Sequence, residues 1–574
     1  MTDNNDFKLG LALSGGGFRS ALFHVGMLAR LAELDLLRKV DVISSVSGGS
    51  IIAAYYYLKV KSLLERPPEP GQNPPGREAY IRLVAEIEAD FLAAIQKNML
   101  MRIFLDPVKN ARMLAAEFSN TERLAELLTT HFYQPIFQPQ EAGVKHDRIL
   151  LKDIPIRPIA ANLAAGTRVP FLIINATVLN TGHLWQFTSV SVGEQQTEHK
   201  ADHDIGFLRK FQISNDRLTM EQRKILYNIT LGQAVAASSC VPGIFEPLQI
   251  RNLYNAAGKP LIVRLVDGGL VDNQGLVSLF AENCSHIICS DASDILKPEH
   301  HPSTQFLNVA LRANDILMDR IRSKSLNELF AYGAGRFALF DMGDHETRDH
   351  IFPADSAKMV RALTRVRTAM DAFTDREADT LMYYGYQLSR KVMETNEFEL
   401  VRELLPATRG WRFLEIRDRF LNNDAHRMDL LHHLEVGSRQ MFKVFLLNKT
   451  MPYVILLPFP VIFILLTLYL ISRMSPMVFW SLLILSLLIL VYTQNQKILK
   501  LMDNVAVLKR IKHRILKTMV SLRLPEPFSY IMALASWIQL HVFDPLFLEY
   551  GRVREKTGKP GPHRLKRWFG RWVK

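Results

Sequence analysis

"ISSVSGGSI", at Ile43–Ile51, holds four serines and places Ser47 between two apolar segments. The preceding "LRKVDVISSV" ends in β-branched residues and predicts a buried strand, and the following "SIIAAYYYLKV" predicts the start of an apolar helix. A serine on a tight turn from strand to helix, with small residues on both sides, is typical of a nucleophile elbow. An ordinary strand–turn–helix junction fits the same pattern, so other segments must decide between the two interpretations.

Length and composition limit the possible classes of protein. The 574 residues suggest roughly two to four structural units. Lysine and arginine total 70 against 57 aspartates and glutamates, and the net charge of +13 suits either nucleic acid or an anionic membrane surface. The three cysteines have no metal-ligand spacing, which favours reduced thiols in the cytosol. The polar N-terminus lacks the features of a secretory signal.

The order of predicted elements divides the chain into four regions. Apolar, β-rich runs alternate with helical stretches in the first part of the chain, which predicts an α/β domain. The loop "RPPEPGQNPPG" opens a helical insertion inside it. The predicted regions are residues 1–300 (the α/β catalytic domain, with the insertion at about 61–140), 301–450 (helical), 451–495 (a transmembrane hairpin) and 496–574 (a basic membrane-surface region).

Two apolar runs predict the hairpin. Tyr453–Ile471 and Met477–Thr493 contain no charged residue, and only "SRMSP" connects them. As helices they would be about 28 and 26 Å long, close to the hydrocarbon thickness of a bilayer. Pro458 and Pro460 favour a kink or a re-entrant entry in the first run. The alternative is a buried helix pair in a large soluble core.

Basic residues flank both ends of the hairpin, whereas the connection carries Arg473 alone. This asymmetry predicts that both ends, and with them the catalytic domain, are cytoplasmic. The C-terminal segment 551–574 interleaves basic and aromatic side chains, which beside a hairpin favours anionic headgroups over nucleic acid. Tyr530–Phe543 is interpreted as an interfacial helix or as part of the anchor. We expect a multi-pass protein of a bacterial inner membrane.

A glycine loop precedes the serine turn. "SGGGFR", from Ser14 to Arg19, follows a predicted strand and opens a predicted helix. Gly15, Gly16 and Gly17 allow backbone N–H groups to turn inward, and Arg19 and the helix N-terminus add positive potential. The loop therefore suits an oxyanion or a phosphate, although it matches neither the G-K-[ST] nor the G-x-G-x-x-G nucleotide pattern.

A carboxylate ends another predicted strand. In "IVRLVDGGLVDNQG", Asp267 follows an apolar run and precedes Gly268 and Gly269. A carboxylate at a strand end, with glycines allowing close backbone approach, suits a group that deprotonates or orients a serine. The segment taken alone fits a plain turn equally well.

Together, the ordered segments "GGGFR", "SVSGG" and "DGG" resemble the patatin-like phospholipase family. "LKDIP", "INATVLNTG" and "AVAASSCVPGIFEP" match the family in the same order, so the resemblance covers roughly residues 7–295. Ser14 stands where an aspartate is common, and Ser45 stands where the elbow usually has glycine. The resemblance implies a three-layer α/β domain with a central, mostly parallel sheet.

The resemblance also implies a Ser–Asp dyad without a catalytic histidine, metal or cofactor. Ser47 would attack an acyl carbonyl and Asp267 would act as its base. The implied oxyanion donors are the N–H groups of Gly15, Gly16 and Gly17, and the implied supporting residues are Arg19, Gly49, Gly268 and Gly269. His24, in the first helix, and His286, in a strand, are expected to be structural.

The sequence thus predicts a membrane-anchored serine acyl hydrolase acting on phospholipids or related acyl lipids. One alternative is a catalytically silent lipid-binding or scaffold protein that kept the fold. Another is an esterase with a full Ser–His–Asp triad.

Overall fold

The computed structural model describes most of the chain outside the predicted hairpin. The described residues are 7–67, 73–137, 148–163, 166–195, 208–256, 258–293, 296, 298–343, 351–352, 356–395, 398–401, 410–422, 425–440, 443–447 and 525–553. The predicted spans Tyr453–Ile471 and Met477–Thr493, and residues 554–574 of the basic region, lie outside them.

A ten-stranded sheet organises the described part of the chain, in the order β10-β9-β1-β2-β3-β4-β5-β6, with β8 pairing to β3 and β7. The strands are β1 (Leu9–Leu13), β2 (Val42–Val46), β3 (Phe171–Val178), β4 (Leu184–Phe187), β5 (Ser191–Glu194), β6 (Phe211–Gln212), β7 (Leu248–Ala256), β8 (Lys259–Asp267), β9 (His286–Asp291) and β10 (Phe337–Asp341).

The sheet is mixed, which corrects the expectation of a mostly parallel one. Strands β10, β9, β1, β2 and β3 pair in parallel, whereas β3 to β6 and the β7–β8 pair are antiparallel. Short connections join consecutive antiparallel strands, while parallel neighbours need crossovers. Every residue of β1 and β2 is buried, as expected for strands covered on both faces.

The helices cover this sheet and fill the insertion. They are α1 (Gly17–Glu33), α2 (Gly48–Glu65), α3 (Arg77–Ile95), α4 (Met99–Ile103), α5 (Pro107–Leu114), α6 (Asn120–Leu128), α7 (Met220–Asn228), α8 (Leu231–Ser238), α9 (Leu276–Ala281), α10 (Phe306–Phe330), α11 (Ala357–Leu363), α12 (Asp375–Thr395), α13 (Arg417–Leu421), α14 (Ala425–Gly437), α15 (Lys443–Leu447), α16 (Pro525–Ile538) and α17 (Asp544–Tyr550).

Helix α1 lies at the centre of the packing. All of its residues are buried, and it contacts α2, α3 and α12. Glu33, near its end, accepts hydrogen bonds from Tyr386 Oη at 2.8 Å and from Trp411 Nε1 at 2.8 Å. Helix α1 is therefore enclosed partly by residues that follow the first 300.

The predicted boundary at residue 300 is not a boundary of a compact unit. The chain forms one unit from Met1–Ile103, Phe118–Gln440 and Gln539–Lys574, and a second from Phe104–Glu117 and Met441–Ile538. Strand β10 adds to the sheet and α12 packs on α1, so residues after 300 complete the first unit. Helical periodicity alone carried no information about this docking.

The second unit includes α5 and α16. Asn110 Nδ2 donates to the carbonyl of Ser529 at 3.1 Å, and Ser529 and Ser536 are buried. Large apolar side chains of α16 are exposed instead: Tyr530 (64%), Ile531 (62%), Leu534 (59%) and Trp537 (40%).

Ser529–Tyr550 is a 22-residue helical stretch with a mean hydropathy of 1.4 and 22% of its most apolar window buried. Within the described ranges it alone is long and apolar enough to cross a membrane. It contains the segment Tyr530–Phe543, which was expected to be interfacial or part of the anchor.

Candidate active site

Ser47 lies at the junction of β2 and α2, as predicted. Its backbone has φ 51° and ψ −121°, a conformation that a non-glycine residue adopts only at a cost of about 1–3 kcal/mol. Its N–H donates to Ser238 Oγ at 2.9 Å. This strained turn between a strand and a helix has the geometry that a nucleophile elbow requires, and tertiary contacts must maintain it.

Close backbone contacts explain the glycines after the serine. A Cβ atom on Gly48 would lie 2.0 Å from the carbonyl oxygen of Gly17. A Cβ atom on Gly49 would lie 2.3 Å from the carbonyl oxygen of Leu13. The start of α2 therefore packs directly on the glycine loop, and only glycine fits at either position.

Ser45 replaces the first glycine of the usual elbow pattern without leaving a polar group unpaired. Its Oγ donates to the carbonyl of Ile173 at 3.2 Å and accepts from Ser50 Oγ at 3.1 Å. Ser50 Oγ also lies 2.9 Å from Ser238 Oγ. A small cluster of buried hydroxyls thus accommodates Ser45 beneath the turn.

Asp267 lies at the end of β8, beside the elbow. Its Oδ1 accepts the N–H of Gly269 at 2.8 Å, and its side chain lies close enough to that of Ser47 for the serine hydroxyl to influence its pKa. Burial raises the pKa of Asp267 to about 6, and the Gly269 N–H and the Ser47 hydroxyl oppose that rise. The structure therefore brings a basic carboxylate together with the strained serine.

The glycines after Asp267 allow close packing. A Cβ atom on Gly268 would lie 2.5 Å from the carbonyl of Asn175, and one on Gly269 would lie 2.7 Å from Asn273 Oδ1. The absence of a side chain therefore lets Gly268 pack against β3 and lets Gly269 pack against Asn273. Both glycines therefore support the position of Asp267.

The glycine loop differs from the expectation at one residue. The N–H of Gly15 donates to the carbonyl of Asn273 at 2.9 Å, so the fold already uses this predicted oxyanion donor. Gly16 (φ 130°) and Gly17 (φ 59°) adopt conformations that favour glycine. Among the described residues, neither of their N–H groups has an acceptor. They and the N–H of Gly48, in the first turn of α2, are the candidate oxyanion donors.

These features agree with a comparison of the chain with known protein families. Residues 11–279 match the family described as patatin-like phospholipase. Residues 11–279 are a patatin-like phospholipase domain.

The patatin-like chain is also similar to two solved structures. One is human GIVD cytosolic phospholipase A2, with 14% identity and a TM-score of 0.38 over 71% of this chain and 61% of that one. The other is VipD from Legionella pneumophila, with 13% identity and a TM-score of 0.28 over 96% of this chain and 93% of that one. The chain thus spans about three fifths of the human phospholipase. No curated protein sequence matches it.

Arg19 of the patatin-like domain is directed at backbone carbonyls. Its guanidinium donates to the carbonyls of Thr364 at 3.0 Å, Val366 at 3.3 Å and Ala292 at 3.2 Å. Arg19 therefore ties α1 to two later segments of the chain. This geometry fits the predicted supporting role and does not place its charge on an oxyanion.

The segment around Thr368 is a feature that the sequence analysis missed. A Cβ atom on Gly17 would lie 1.5 Å from the carbonyl oxygen of Thr368, so this segment presses on the glycine loop. It lies beyond the patatin-like match, in the region predicted only as helical. No local sequence signal marks such a contact, because it depends on chain segments about 350 residues apart.

Ser14, where the family commonly has aspartate, also supports the loop. Its Oγ accepts the N–H of Ala292 at 2.8 Å, and its N–H donates to the carbonyl of Ser290 at 3.1 Å. His24, on α1, contacts the same two segments of the chain, with Nδ1 2.8 Å from Ser290 Oγ and Nε2 3.1 Å from the carbonyl of Ser14. Burial lowers the pKa of His24 to about 4, so it remains neutral.

His286 begins β9, where it pairs with Leu9 at the first residue of β1. Ser47 follows the last residue of β2, so parallel pairing places His286 at the other end of the sheet. Its Nε2 lies 3.2 Å from Glu399 Oε2. Among the described residues, no histidine is a partner of Asp267.

Proposed function

We propose that the chain is a serine acyl hydrolase that cleaves fatty acyl esters of phospholipids or related lipids, with Ser47 as nucleophile and Asp267 as base. The observation that carries this proposal is the proximity of the buried Asp267 carboxylate to the Ser47 side chain, which lies on a strained turn. The patatin-like domain supports a lipid substrate class.

The proposed reaction has two halves. Asp267 takes the hydroxyl proton as Ser47 Oγ attacks the acyl carbonyl, and the N–H groups of Gly16, Gly17 and Gly48 stabilise the oxyanion that develops. The intermediate collapses to an acyl-serine as Asp267 returns the proton to the departing lipid alcohol. Water, deprotonated by Asp267, then attacks the acyl-serine, and the fatty acid leaves as Ser47 recovers its proton.

Asp267 suits both directions of proton transfer because of its environment. With a pKa of about 6 it is mostly ionised at neutral pH, yet it is more basic than an exposed aspartate. The raised pKa is caused mainly by burial, which also excludes water from the reacting groups. This property supports a carboxylate acting directly on the serine without a histidine between them.

The exposed face of α16 supports a membrane site of action. Tyr530, Ile531, Leu534 and Trp537 recur on one side of the helix, while Ser529 and Ser536 face the protein. Water-exposed helices normally show the opposite distribution. Contact with lipid would explain why the apolar side chains of α16 face outward, whether the helix lies at the surface of a bilayer or within it.

Labelling with a fluorophosphonate probe tests the chemistry directly. We expect the wild-type protein and the Ser45→Ala and Ser50→Ala variants to be labelled, and Ser47→Ala to remain unlabelled and to lose several orders of magnitude in ester hydrolysis. An unlabelled wild-type protein would instead favour the silent lipid-binding alternative. Labelling that moves to Ser45 or Ser50 would relocate the nucleophile.

Vesicle flotation tests the membrane interpretation. Replacing Leu534 and Trp537 together by serine should reduce the fraction of protein that floats with vesicles. A matched change of the exposed Val309 and Leu317 of α10 to serine should leave that fraction unchanged. Equal flotation of all three proteins would remove α16 from the membrane contact.

A further inference from the structure

A polar cavity of about 430 Å³ lies among the antiparallel strands, apart from Ser47 and Asp267. Its volume is in the range of small-molecule sites. It is lined by Gln186, Glu194, Gln195, Arg209, Lys210, Ala281 and Glu282. None of these residues belongs to the catalytic machinery proposed above.

Two adjacent cations on one segment line this cavity in fixed positions. Tyr254 Oη donates to the carbonyl of Arg209 at 2.6 Å, and the Arg209 guanidinium lies 5.8 Å from the centre of the Phe211 ring. Lys210 Nζ donates to Gln186 Oε1 at 2.5 Å. A Cβ atom on Gly193 would lie 2.4 Å from Lys210 Cα, so glycine on β5 lets this segment approach closely.

The carboxylates at the cavity already have partners. Glu194 accepts hydrogen bonds from the Leu208 N–H at 2.6 Å and from the Thr181 hydroxyl, and it contacts His183 Nδ1 at 3.1 Å. Glu282 pairs with Lys8 Nζ at 2.9 Å.

The two cations are less completely paired than these carboxylates among the described residues. Within the part of the chain that the structure describes, no carboxylate forms an ion pair with Arg209 or Lys210. Partial burial lowers the pKa of Lys210, and the negative charge of Glu282 opposes this shift without outweighing it. An anion at the cavity would form the direct ion pairs that the described carboxylates do not form with Arg209 and Lys210.

The neutral part of the lining is held in place by buried hydrogen bonds. Gln186 Nε2 donates to Ser278 Oγ at 2.7 Å, and Ser278 Oγ donates to Asn175 Oδ1 at 2.7 Å. Asn175 Nδ2 in turn donates to Ser44 Oγ at 2.9 Å, on the strand that precedes Ser47. This chain of contacts orients Gln186, and with it the ammonium of Lys210, before any ligand arrives.

We propose that this cavity binds the phosphate ester of a small hydroxylated molecule, with Arg209 and Lys210 on the phosphate. The planar fork of an arginine beside the point charge of a lysine matches the several oxygens of a phosphate. The volume exceeds that of phosphate alone, and the side-chain amide of Gln195 in the lining is suited to a hydroxyl group. The site does not depend on the hydrolysis proposed for Ser47.

Calorimetric titration of the full-length Ser47→Ala protein with glycerol 3-phosphate tests the site without turnover. We expect saturable binding that Arg209→Gln and Lys210→Gln each weaken about ten- to hundredfold, the range for a lost charge-assisted hydrogen bond. Arg251→Gln is the matched control, because Arg251 is an exposed arginine of β7 outside the cavity lining. Glycerol should not bind.

Vesicles distinguish a lipid headgroup from a soluble phosphate ester. Competition of phosphatidic acid vesicles with glycerol 3-phosphate, without competition by phosphatidylcholine vesicles, would assign the site to a headgroup. Absence of competition would assign it to a soluble ester. No saturable binding, or equal weakening by Arg209→Gln, Lys210→Gln and Arg251→Gln, would overturn the proposal. Fluorophosphonate labelling of the same variants with Ser47 intact verifies their folding separately.

Discussion

Two buried charged regions of the first unit are built in opposite ways. In the helical region, Arg367 lies among Asp371, Glu377 and the carbonyls of Ala372 and Gly437, with distances of 2.6 and 2.7 Å to the oxygens of Asp371. Burial opposes its charge, but Asp371 and Glu377 outweigh that effect and raise the pKa of Arg367. The charge is fully neutralised and hydrogen-bonded.

At the end of the sheet near Ser47, by contrast, several polar groups lack a hydrogen-bond or ion-pair partner among the described residues. Asp267 has no cationic partner among the described residues, and burial shifts its pKa toward the operating range. The N–H groups of Gly16 and Gly17 have no acceptor there either, and Ser47 is strained. A buried charge that serves stability has all of its hydrogen-bond and ion-pair partners. Groups suited to chemistry keep some hydrogen-bonding capacity unused, and the surrounding fold holds them in that state.

The largest expected effect is a difference in the rate of ester hydrolysis between variants of two nearby carboxylates, Asp267 and Asp272. Asp267→Asn should lower the rate of ester hydrolysis about 10²–10⁴-fold, because an amide cannot accept the serine proton. Asp272 is also buried with a pKa raised to about 6, but among the described residues it accepts hydrogen bonds only from backbone N–H groups, including that of Val277 at 2.7 Å. Asp272→Asn should therefore affect stability more than the rate per folded molecule.

Ester hydrolysis and thermal unfolding of both variants measure this difference. A double variant with Ser47→Ala should lose no more activity than Ser47→Ala alone, because the two groups act as a unit. Equal loss of rate in the two folded aspartate variants would contradict the special role of Asp267. A histidine variant as inactive as Asp267→Asn would restore the triad interpretation.

A second prediction concerns the buried cluster of Arg367, Asp371 and Glu377. Arg367→Met should lower the free energy of unfolding by about 3–5 kcal/mol, because it leaves Asp371 and Glu377 buried without their cation. The rate per folded molecule should fall far less than in Asp267→Asn. Denaturant unfolding measures the loss, with the exposed Arg365→Met as a matched control. A stable but inactive Arg367→Met protein would show that this cluster belongs to the site.

The smallest expected effect is the dependence of the rate on pH. Because Asp267 must be ionised to accept a proton, kcat/KM should fall about tenfold per pH unit below its pKa of about 6. The raised pKa values of Asp267 and Asp272 mean that the folded state binds protons more tightly than the unfolded state between about pH 4 and 6. Their protonation therefore stabilises the fold as the pH falls through this range.

A pH–rate profile with parallel melting curves checks the effect, since a rate that falls while these carboxylates add stability reports chemistry and not unfolding. An inflection near neutral pH that disappears in a histidine variant would argue against direct proton transfer to Asp267.

The sequence by itself determined the parts of the protein that depend on local backbone demands. The β-branched run before Ser47, the glycines after it and the apolar run before Asp267 predicted a strand–turn–helix junction and a strand end, and the structure has both. Glycine is required at these turns because of φ values or contacts within a few ångströms, so such positions leave a readable pattern. The roles assigned to these residues remain predictions.

Only the tertiary structure decided which groups are available and what encloses them. It engaged the N–H of Gly15 with Asn273, directed Arg19 to backbone carbonyls and pressed Thr368 onto Gly17. It also made the sheet mixed and joined residues after 300 to the first unit. These outcomes rest on contacts between segments that are distant along the chain, and local patterns of polarity and glycine carry no record of which distant segment will pair with which.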